Sequence, residues 1–299
     1  MNNEEKNLQK TNINWYPGHM AKTRRLINEQ EKLIDVVYEL IDARIPFSSK
    51  IQDKDNILLK KPRVLILTKY DLCDKDETDK WIKYYEDLGN KVVKLNLSES
   101  NVNFNELINI TNELMESIQQ KRNDKGMKEK EIRVLVLGIP NVGKSTFINR
   151  FVGKSVANTG NKPGVTTNLV WLKTKSNILL LDTPGILWPK IESEEVALNL
   201  ASMSAIREEV LPIGKVAWHI LEKLNKYYPN KLDERYNMKT LDEDVIEVYN
   251  NIGKKLGAYR NGEADFNRVS EAIINDVKSE RIKNITFDRK WLLWIRLKY

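Results

Sequence analysis

The residues with chemistry in their types and spacing begin with Gly138, Gly143, Lys144 and Ser145. They are set as G-x-x-x-x-G-K-[ST] within the stretch IRVLVLGIPNVGKSTFINRF at 132–151. An unbroken apolar run leads into Gly138, and a helical pattern (Phe147, Ile148, Phe151) follows. Strand before and helix after is the context in which this spacing cradles a phosphate chain. The glycines let the backbone wrap so that its N–H groups point inward, and the helix N-terminus adds positive potential. Lys144 reaches the β- and γ-phosphates, and the Ser145 hydroxyl is placed to ligate Mg2+. Asn141, Val142 and Thr146 complete the nucleotide-binding set expected of this loop.

A second constellation, Asp182-Thr183-Pro184-Gly185, closes an apolar strand. Alone, D-x-x-G is an ordinary strand-end turn. Downstream of a phosphate loop it reads as half of a nucleotide switch, in which the Asp182 carboxylate holds Mg2+ through water and the Gly185 N–H senses the γ-phosphate. Between the two lies Pro163-Gly164-Val165-Thr166-Thr167, where a switch threonine should close over the metal. Thr166 is the expected residue, with Thr167 the adjacent alternative.

Upstream, Thr68-Lys69-Tyr70-Asp71 resembles the guanine-reading N-K-x-D. The Asp71 carboxylate would accept from the N1–H and 2-amino groups of guanine, which adenine cannot supply, and the Lys69 stem would lie along the purine face. Thr68 stands where Asn is usual, and a hydroxyl offers fewer contacts than an amide. The expected tie between base pocket and phosphate loop is weaker for it. Leu97-Ser98 would supply the backbone N–H that meets the guanine oxygen. A water-orienting glutamine often follows D-x-x-G; here the position is Ile186, which neither donates nor accepts. The catalytic group therefore comes from another side chain, a monovalent cation or a partner. Of the two histidines, His19 follows a Pro17-Gly18 turn at a helix start, and His219 sits in a helical pattern as a packing or solvated residue.

Strands expected at 36–41, 63–67, 91–97, 132–138, 169–174 and 177–181 alternate with helices over 20–33, 78–88, 105–119 and the stretch after Ser145. That pattern predicts a mostly parallel α/β sheet of the P-loop NTPase type. The charged, apolar-poor run QKRNDKGMKEKE at 120–131 reads as an exposed linker, and 153–168 as a mobile loop. Beyond about 191, strand signals vanish and helical periodicity recurs over 210–224, 241–256 and 263–277. The expected division is a nucleotide domain at 1–190 and an all-helical domain at 191–299. The base reader precedes the phosphate loop, the reverse of the usual order, and 120–131 joins what would ordinarily be termini. Assembly of such a site depends on neighbours in space, so the strands can keep their sheet positions.

Taken together, these residues resemble the circularly permuted GTPases (motif order G4-G5-G1-G2-G3), and within them the RbgA/YlqF ribosome-biogenesis GTPases. The likeness runs over nearly the whole chain: WYPGHMAK at 15–22, DARIP at 42–46, TKYDL at 68–72, GIPNVGKST at 138–146, PGVTT at 163–167 and DTPGILWPK at 182–190. The resemblance implies GTP hydrolysis coupled to late assembly of the large (50S) ribosomal subunit, with a helical C-terminal domain on ribosomal RNA. It implies GTP-dependent binding to precursor particles and release on hydrolysis. It also implies that His19 swings in to activate water once the ribosome is bound, and that a K+ ion assists, held in part by Asn141.

Composition agrees with a globular protein of two domains: 299 residues, 41% hydrophobic and 30% charged. The single cysteine, Cys73, excludes an internal disulfide and suits a reducing compartment. No apolar run approaches the roughly 20 residues of a spanning helix, and the N-terminus lacks a signal-peptide core, so a cytoplasmic location is expected, with no membrane partner. The net charge of +7 favours an anionic macromolecule. Basic residues near the C-terminus (Lys278, Arg281, Lys283, Arg289, Lys290, Arg296, Lys298) alternate with Phe287, Trp291, Trp294 and Tyr299. Lys22, Arg24 and Arg25 form a second cluster. The cations are expected to meet RNA phosphates and the tryptophans to pack; no compact recognition helix for DNA is present. The rival readings are a stand-alone nucleotide triphosphatase without an RNA partner, a membrane-recruited signalling GTPase, and a passive RNA-binding protein.

Overall fold

The computed structural model describes residues 10–13, 18–51, 60–156, 170–184, 191–206, 210–242, 244–260 and 262–290. By compactness the chain forms two units, one of residues 14–190 with 288–299, the other of residues 1–13 with 191–287. Both termini thus fall outside a simple cut at 190/191: β1 (Lys10–Ile13) pairs antiparallel with β8 (Ile191–Ser193) in the second unit, and the chain re-enters the first unit at Asp288.

The first unit is built on a six-stranded sheet in the order β4-β3-β2-β5-β7-β6. Its strands are β2 (Val36–Asp42), β3 (Arg63–Thr68), β4 (Lys91–Lys94), β5 (Ile132–Gly138), β6 (Val170–Lys173) and β7 (Ile178–Asp182). All pairings are parallel except β6 with β7. β2 is buried at every position, as a central parallel strand covered on both faces must be. Side chains alternate along a strand, and the register sorts them into two faces. On one, Val37, Ile41, Leu65, Leu67, Leu135, Leu137 and Leu181 pack in two clusters. Ile27 of α1 (Gly18–Gln30) lies in one of these, and Trp81, Ile82 and Tyr85 of α2 (Lys75–Asp87) lie in the other. On the opposite face Tyr38 bonds Thr111 of α3 (Asn105–Asn123) at 2.6 Å. Its ring meets Phe147 and Phe151 of α4 (Lys144–Val152) edge-on.

Every parallel strand therefore ends at one carboxyl edge, between two helical layers, which is where α/β sheets bind ligands. The strand carrying the base reader, β3, is separated from the phosphate-loop strand, β5, by β2 alone. The permuted connectivity leaves the sheet intact.

The second unit is helical: α5 (Glu194–Ser202), α6 (Ile213–Tyr227), α7 (Pro229–Tyr236), α8 (Val245–Leu256) and α9 (Phe266–Lys278). Val216, Ile220 and Leu224 of α6, and Val269, Ile273 and Val277 of α9, are buried at helical spacing. Asp276 is fully buried, held by Arg235 at 2.7 and 2.9 Å and by the Tyr236 hydroxyl at 3.0 Å. Strand signals do not vanish entirely here, since β9 (Tyr259–Arg260) and β10 (Glu263–Ala264) form a short antiparallel ladder and β8 pairs with β1. Two-residue strands carry too little periodicity to be read from sequence. Among the described residues no helix is long and apolar enough to cross a membrane.

Candidate nucleotide-binding site

The phosphate loop turns at Gly138 for lack of space and at Gly143 for its left-handed backbone. A Cβ on Gly138 would lie 2.8 Å from Val142 Cγ1 and 3.1 Å from the Leu40 carbonyl. Gly143 has φ +98° and opens α4 with no side-chain cap, so the helix N-terminus keeps its N–H groups for an anion. Lys144, the first residue of α4, is buried, and its Nζ lies 3.3 Å from Asp182 Oδ1 and donates to the Thr183 carbonyl. Burial pushes the Lys144 pKa down and the Asp182 carboxylate opposes that shift. Thr183 is fixed by its hydroxyl to the Val136 carbonyl at 2.7 Å, which sets the end of β7 against β5. Ser145 is half-buried and Thr146 exposed.

The base-side loop is bonded to the phosphate loop directly. The Thr68 hydroxyl, fully buried, lies 2.6 Å from the Val142 carbonyl and 3.2 Å from that of Ile41. The threonine thus ties the two loops through its one hydroxyl, with fewer contacts than an amide would offer. Lys69 and Asn141 both hold a left-handed backbone, φ 56° and 60°. Outside glycine that conformation persists only where the surroundings fix it. Here they fix each other, with Lys69 Nζ donating to the Asn141 carbonyl at 2.8 Å. A Cβ on Gly143 would sit 3.5 Å from Leu97 Cδ1 and 4.0 Å from Thr68 Cβ. Thr68, Leu97 and Gly143 thus converge. Asp71 lies in the turn closed by the Leu72 N–H on the Lys69 carbonyl at 3.0 Å. It is half-buried, and its carboxylate makes no hydrogen bond or ion pair among the described residues. The expected strand at 91–97 ends at Lys94; the Leu95 N–H still bonds the Leu67 carbonyl at 2.8 Å, and the chain turns at 97–98. The Ser98 N–H is committed to Asn96 Oδ1 at 3.0 Å. Of the expected pair, Leu97 has the N–H that is unpaired among the described residues.

One functional residue was visible only as part of the DARIP signature. Asp42, at the carboxyl end of β2, accepts from Arg44 Nη2 at 2.8 Å and from Lys69 Nζ at 3.0 Å. Burial alone would raise its pKa, but the Arg44 guanidinium and the Lys69 ammonium hold it well below the usual carboxylate range. Asp42 therefore orients the lysine that reaches across to Asn141. The available signal was an acid ending a continuous apolar strand, a position that faces the ligand edge once the strand is central.

Thr166 and Gly185 lie outside the described residues, as does the side chain of His19, whose backbone is in the first turn of α1. His219 is buried, 2.8 Å from Asn199 Oδ1 and edge-on to Phe287. Burial, with Lys223 nearby, holds its pKa well below the usual value. The Cys73 thiol is buried and pushed up to about 11 by that burial, so it is inert. In the C-terminal stretch Phe287 is 0% exposed and Arg289 pairs with Glu77 at 3.1 Å. The expectation that Arg289 meets RNA phosphate is corrected by its burial and pairing. Lys278, Arg281 and Lys283 are exposed.

The donor set fits a hard divalent cation held mainly by substrate oxygens: one hydroxyl, Ser145, and one carboxylate, Asp182. Among the described residues no group of three or more His, Cys, Asp or Glu could hold a metal by itself.

A family described as "50S ribosome-binding GTPase" matches residues 133–255. Ribosome biogenesis GTPase A of Bacillus licheniformis is 42% identical over 278 residues, covering 93% of this chain and 98% of that one. The protein of the same name from Thermotoga maritima is 26% identical over 93% of this chain and 94% of its own. Mitochondrial ribosome-associated GTPase 1 of Mus musculus is 32% identical over 81% of this chain and 76% of its own. Among solved structures, GDP-bound TM YlqF matches with a TM-score of 0.62 at 22% identity, covering 89% of this chain and 100% of that one. GNP-bound YlqF from T. maritima gives 0.61 at 22%, covering 90% and 98%. These last two speak for the shared fold.

Proposed function

This chain belongs to the ribosome biogenesis GTPase A family, and from that membership we propose that its GTP hydrolysis times its attachment to a maturing large ribosomal subunit. The GTP-bound form grips the precursor particle late in assembly, and hydrolysis releases it. The observation that carries the reading is the bond from Thr68 to the Val142 carbonyl at 2.6 Å. It joins a base-reading segment to a phosphate-holding one on a single sheet edge.

Each residue then has a task. The N–H groups of Asn141, Val142, Gly143, Lys144 and Ser145 surround the phosphates, and Lys144 donates to the β/γ oxygens. Asp71 reads the guanine edge, Lys69 covers the purine face, and Leu97 with Ser98 borders the guanine oxygen. Ser145, Asp182 and Thr166 would hold Mg2+, which when bound offsets charge on the transferring phosphate. Asn141 would likewise help hold K+. Gly185 reports the γ-phosphate to the residues that follow it. Those residues run on to Ile191, where the helical unit begins, so the segment sensing the γ-phosphate is continuous in the chain with that unit. His19 orients the attacking water when the particle is bound, since Ile186 cannot.

The helical unit, with Lys278, Arg281 and Lys283 exposed, and Lys22 and Arg25 on α1, supplies cations for ribosomal RNA in the cytoplasm. The test is sedimentation with large-subunit precursors in GDP and in a non-hydrolysable GTP analogue, with turnover measured alongside. Co-sedimentation in the analogue alone, weakening steeply with salt, is the expected result. Equal binding in both nucleotides overturns the reading.

A further inference from the structure

Asp288 is buried, and its carboxylate is gripped by one loop. The Phe47 and Ser48 N–H groups donate to Oδ2 at 2.8 and 2.7 Å, and the Ser48 hydroxyl donates to Oδ1 at 2.6 Å. Its carbonyl accepts from the Trp81 indole at 3.2 Å. A buried carboxylate is costly unless donors surround it, and here the donors come from the stretch that follows Asp42. Ser49, next in that stretch, accepts from the Asp42 N–H at 2.9 Å and donates to the Ile45 carbonyl at 2.6 Å. Asp42 holds Lys69 Nζ at 3.0 Å, and Lys69 reaches the Asn141 carbonyl at 2.8 Å. Two sets of hydrogen bonds thus meet in one stretch of chain: Asp288 holds Ser48, the adjacent Ser49 holds the Asp42 backbone, and the Asp42 carboxylate holds Lys69, which reaches the phosphate loop.

We propose that Asp288 is a positioning residue for guanine-nucleotide binding: from the far end of the chain it fixes the 43–49 loop, and through it the Asp42–Lys69 pair that sets the base-side loop. The proposal rests on reading 68–71 as the guanine site. Asp288 touches no nucleotide. Its effect reaches the base by way of the 43–49 loop, Asp42 and Lys69, so affinity and base discrimination should change together while the phosphate contacts keep their residues.

The test is titration of the full chain with fluorescent GDP and, in competition, IDP, which lacks the 2-amino group. Asp288→Ala should weaken GDP binding by about tenfold and Ser48→Ala by about threefold, the size of coupling within one hydrogen-bond network. The GDP-over-IDP ratio should fall in both, which a loss of packing alone would not produce. Asp288→Asn should restore most of the affinity, because its amide oxygen can take the two N–H donors and its NH2 can turn to the Ser48 hydroxyl. Combining Asp288→Ala with Asp42→Asn should be no worse than Asp42→Asn alone. A folded Asp288→Ala protein with unchanged affinity and ratio overturns the proposal; should that variant not fold, unchanged values in Ser48→Ala do so. Asp71→Asn separates the two levels. A ratio that does not respond to Asp71→Asn removes the guanine reading itself, whereas a ratio that responds to Asp71→Asn and not to the Asp288 or Ser48 variants removes only the positioning role.

Discussion

Replacing Thr68 with valine keeps the shape of the side chain and deletes its hydroxyl, so the outcome measures one bond. That hydroxyl is 0% exposed and lies 2.6 Å from the Val142 carbonyl. Water cannot take its place without opening the sheet edge. A buried acceptor left unpaired costs about 1–3 kcal/mol, and a second, longer contact to the Ile41 carbonyl at 3.2 Å goes with it. The Val142 carbonyl belongs to the loop that must hold its N–H groups inward, so the loss divides between global stability and preorganisation of the loop. Taking about half of a 2 kcal/mol loss as binding, nucleotide affinity should fall by about fivefold. Fluorescent-GDP titration gives the binding share, and urea unfolding without nucleotide gives the stability share. Thr68→Ser, which retains the donor, should stay near the parent in both. If Thr68→Val loses about 2 kcal/mol of stability yet binds GDP as the parent does, the bond is only structural, and the account of Thr68 as the tie between base and phosphate segments fails.

Further outcomes follow from individual residues. Asp71→Asn replaces an acceptor with an amide that can donate, so GTP affinity should drop and xanthosine triphosphate, with an oxygen in place of the 2-amino group, should bind better than it does to the parent; competition between the two nucleotides decides it. His19→Ala should keep GTP affinity and lose most particle-stimulated turnover, and undiminished stimulated hydrolysis would remove His19 from the mechanism. His219, buried against Asn199 and Phe287, has a depressed folded-state pKa. As pH falls through about 6.5 the unfolded chain takes up a proton there and the folded chain does not. Stability should therefore decline with acidification below about pH 6.5. Denaturant melts of His219→Gln should show a flatter pH dependence than the parent between about pH 5 and 7.

The phosphate loop was legible because its constraints are local: two glycines, a lysine and a hydroxyl at fixed spacing, between a strand and a helix. β2, β3 and β5 were legible as strands for the same reason, their buried runs being continuous. What sequence could not supply was the partner across the sheet. Asp42 looks like any strand-end acid until β3 is placed beside β2 and Lys69 arrives at 3.0 Å. Thr68 looks like a weakened motif until the Val142 carbonyl comes within reach. Arg289 reads as RNA-facing because it lies in a run of cations, and nothing local marks Phe287 as core. Their burial comes from tertiary partners, Glu77 among them, that no local pattern announces. α7 escaped notice because it is eight residues long and mostly polar; Pro229 at its start was its only clear signal.

The permuted order costs this site little, and the sheet shows why. The chain enters at β2, in the interior of the sheet, runs outward through β3 to β4, returns by way of α3 to β5, and then builds β7 and β6 on the other side. The phosphate loop, the 68–71 segment and Asp182 all lie at the carboxyl ends of parallel strands, so what matters is which strands are neighbours, and β3, β2 and β5 remain neighbours whichever comes first in the chain. The added connection, 124–131 after α3, has only to close a loop, and the entropy of closure grows slowly with length. What permutation does change is the destination of the chain after the switch. In the usual order the residues after D-x-x-G lead to the next strand of the same sheet. Here β7 ends at Asp182, and by Ile191 the chain belongs to the other unit. The rearrangement keeps the strand neighbours and, on the proposed reading of Gly185 as the sensor of the γ-phosphate, changes what that segment is attached to, which is what a GTPase needs if its nucleotide state is to be read by a helical unit rather than by a loop of its own domain.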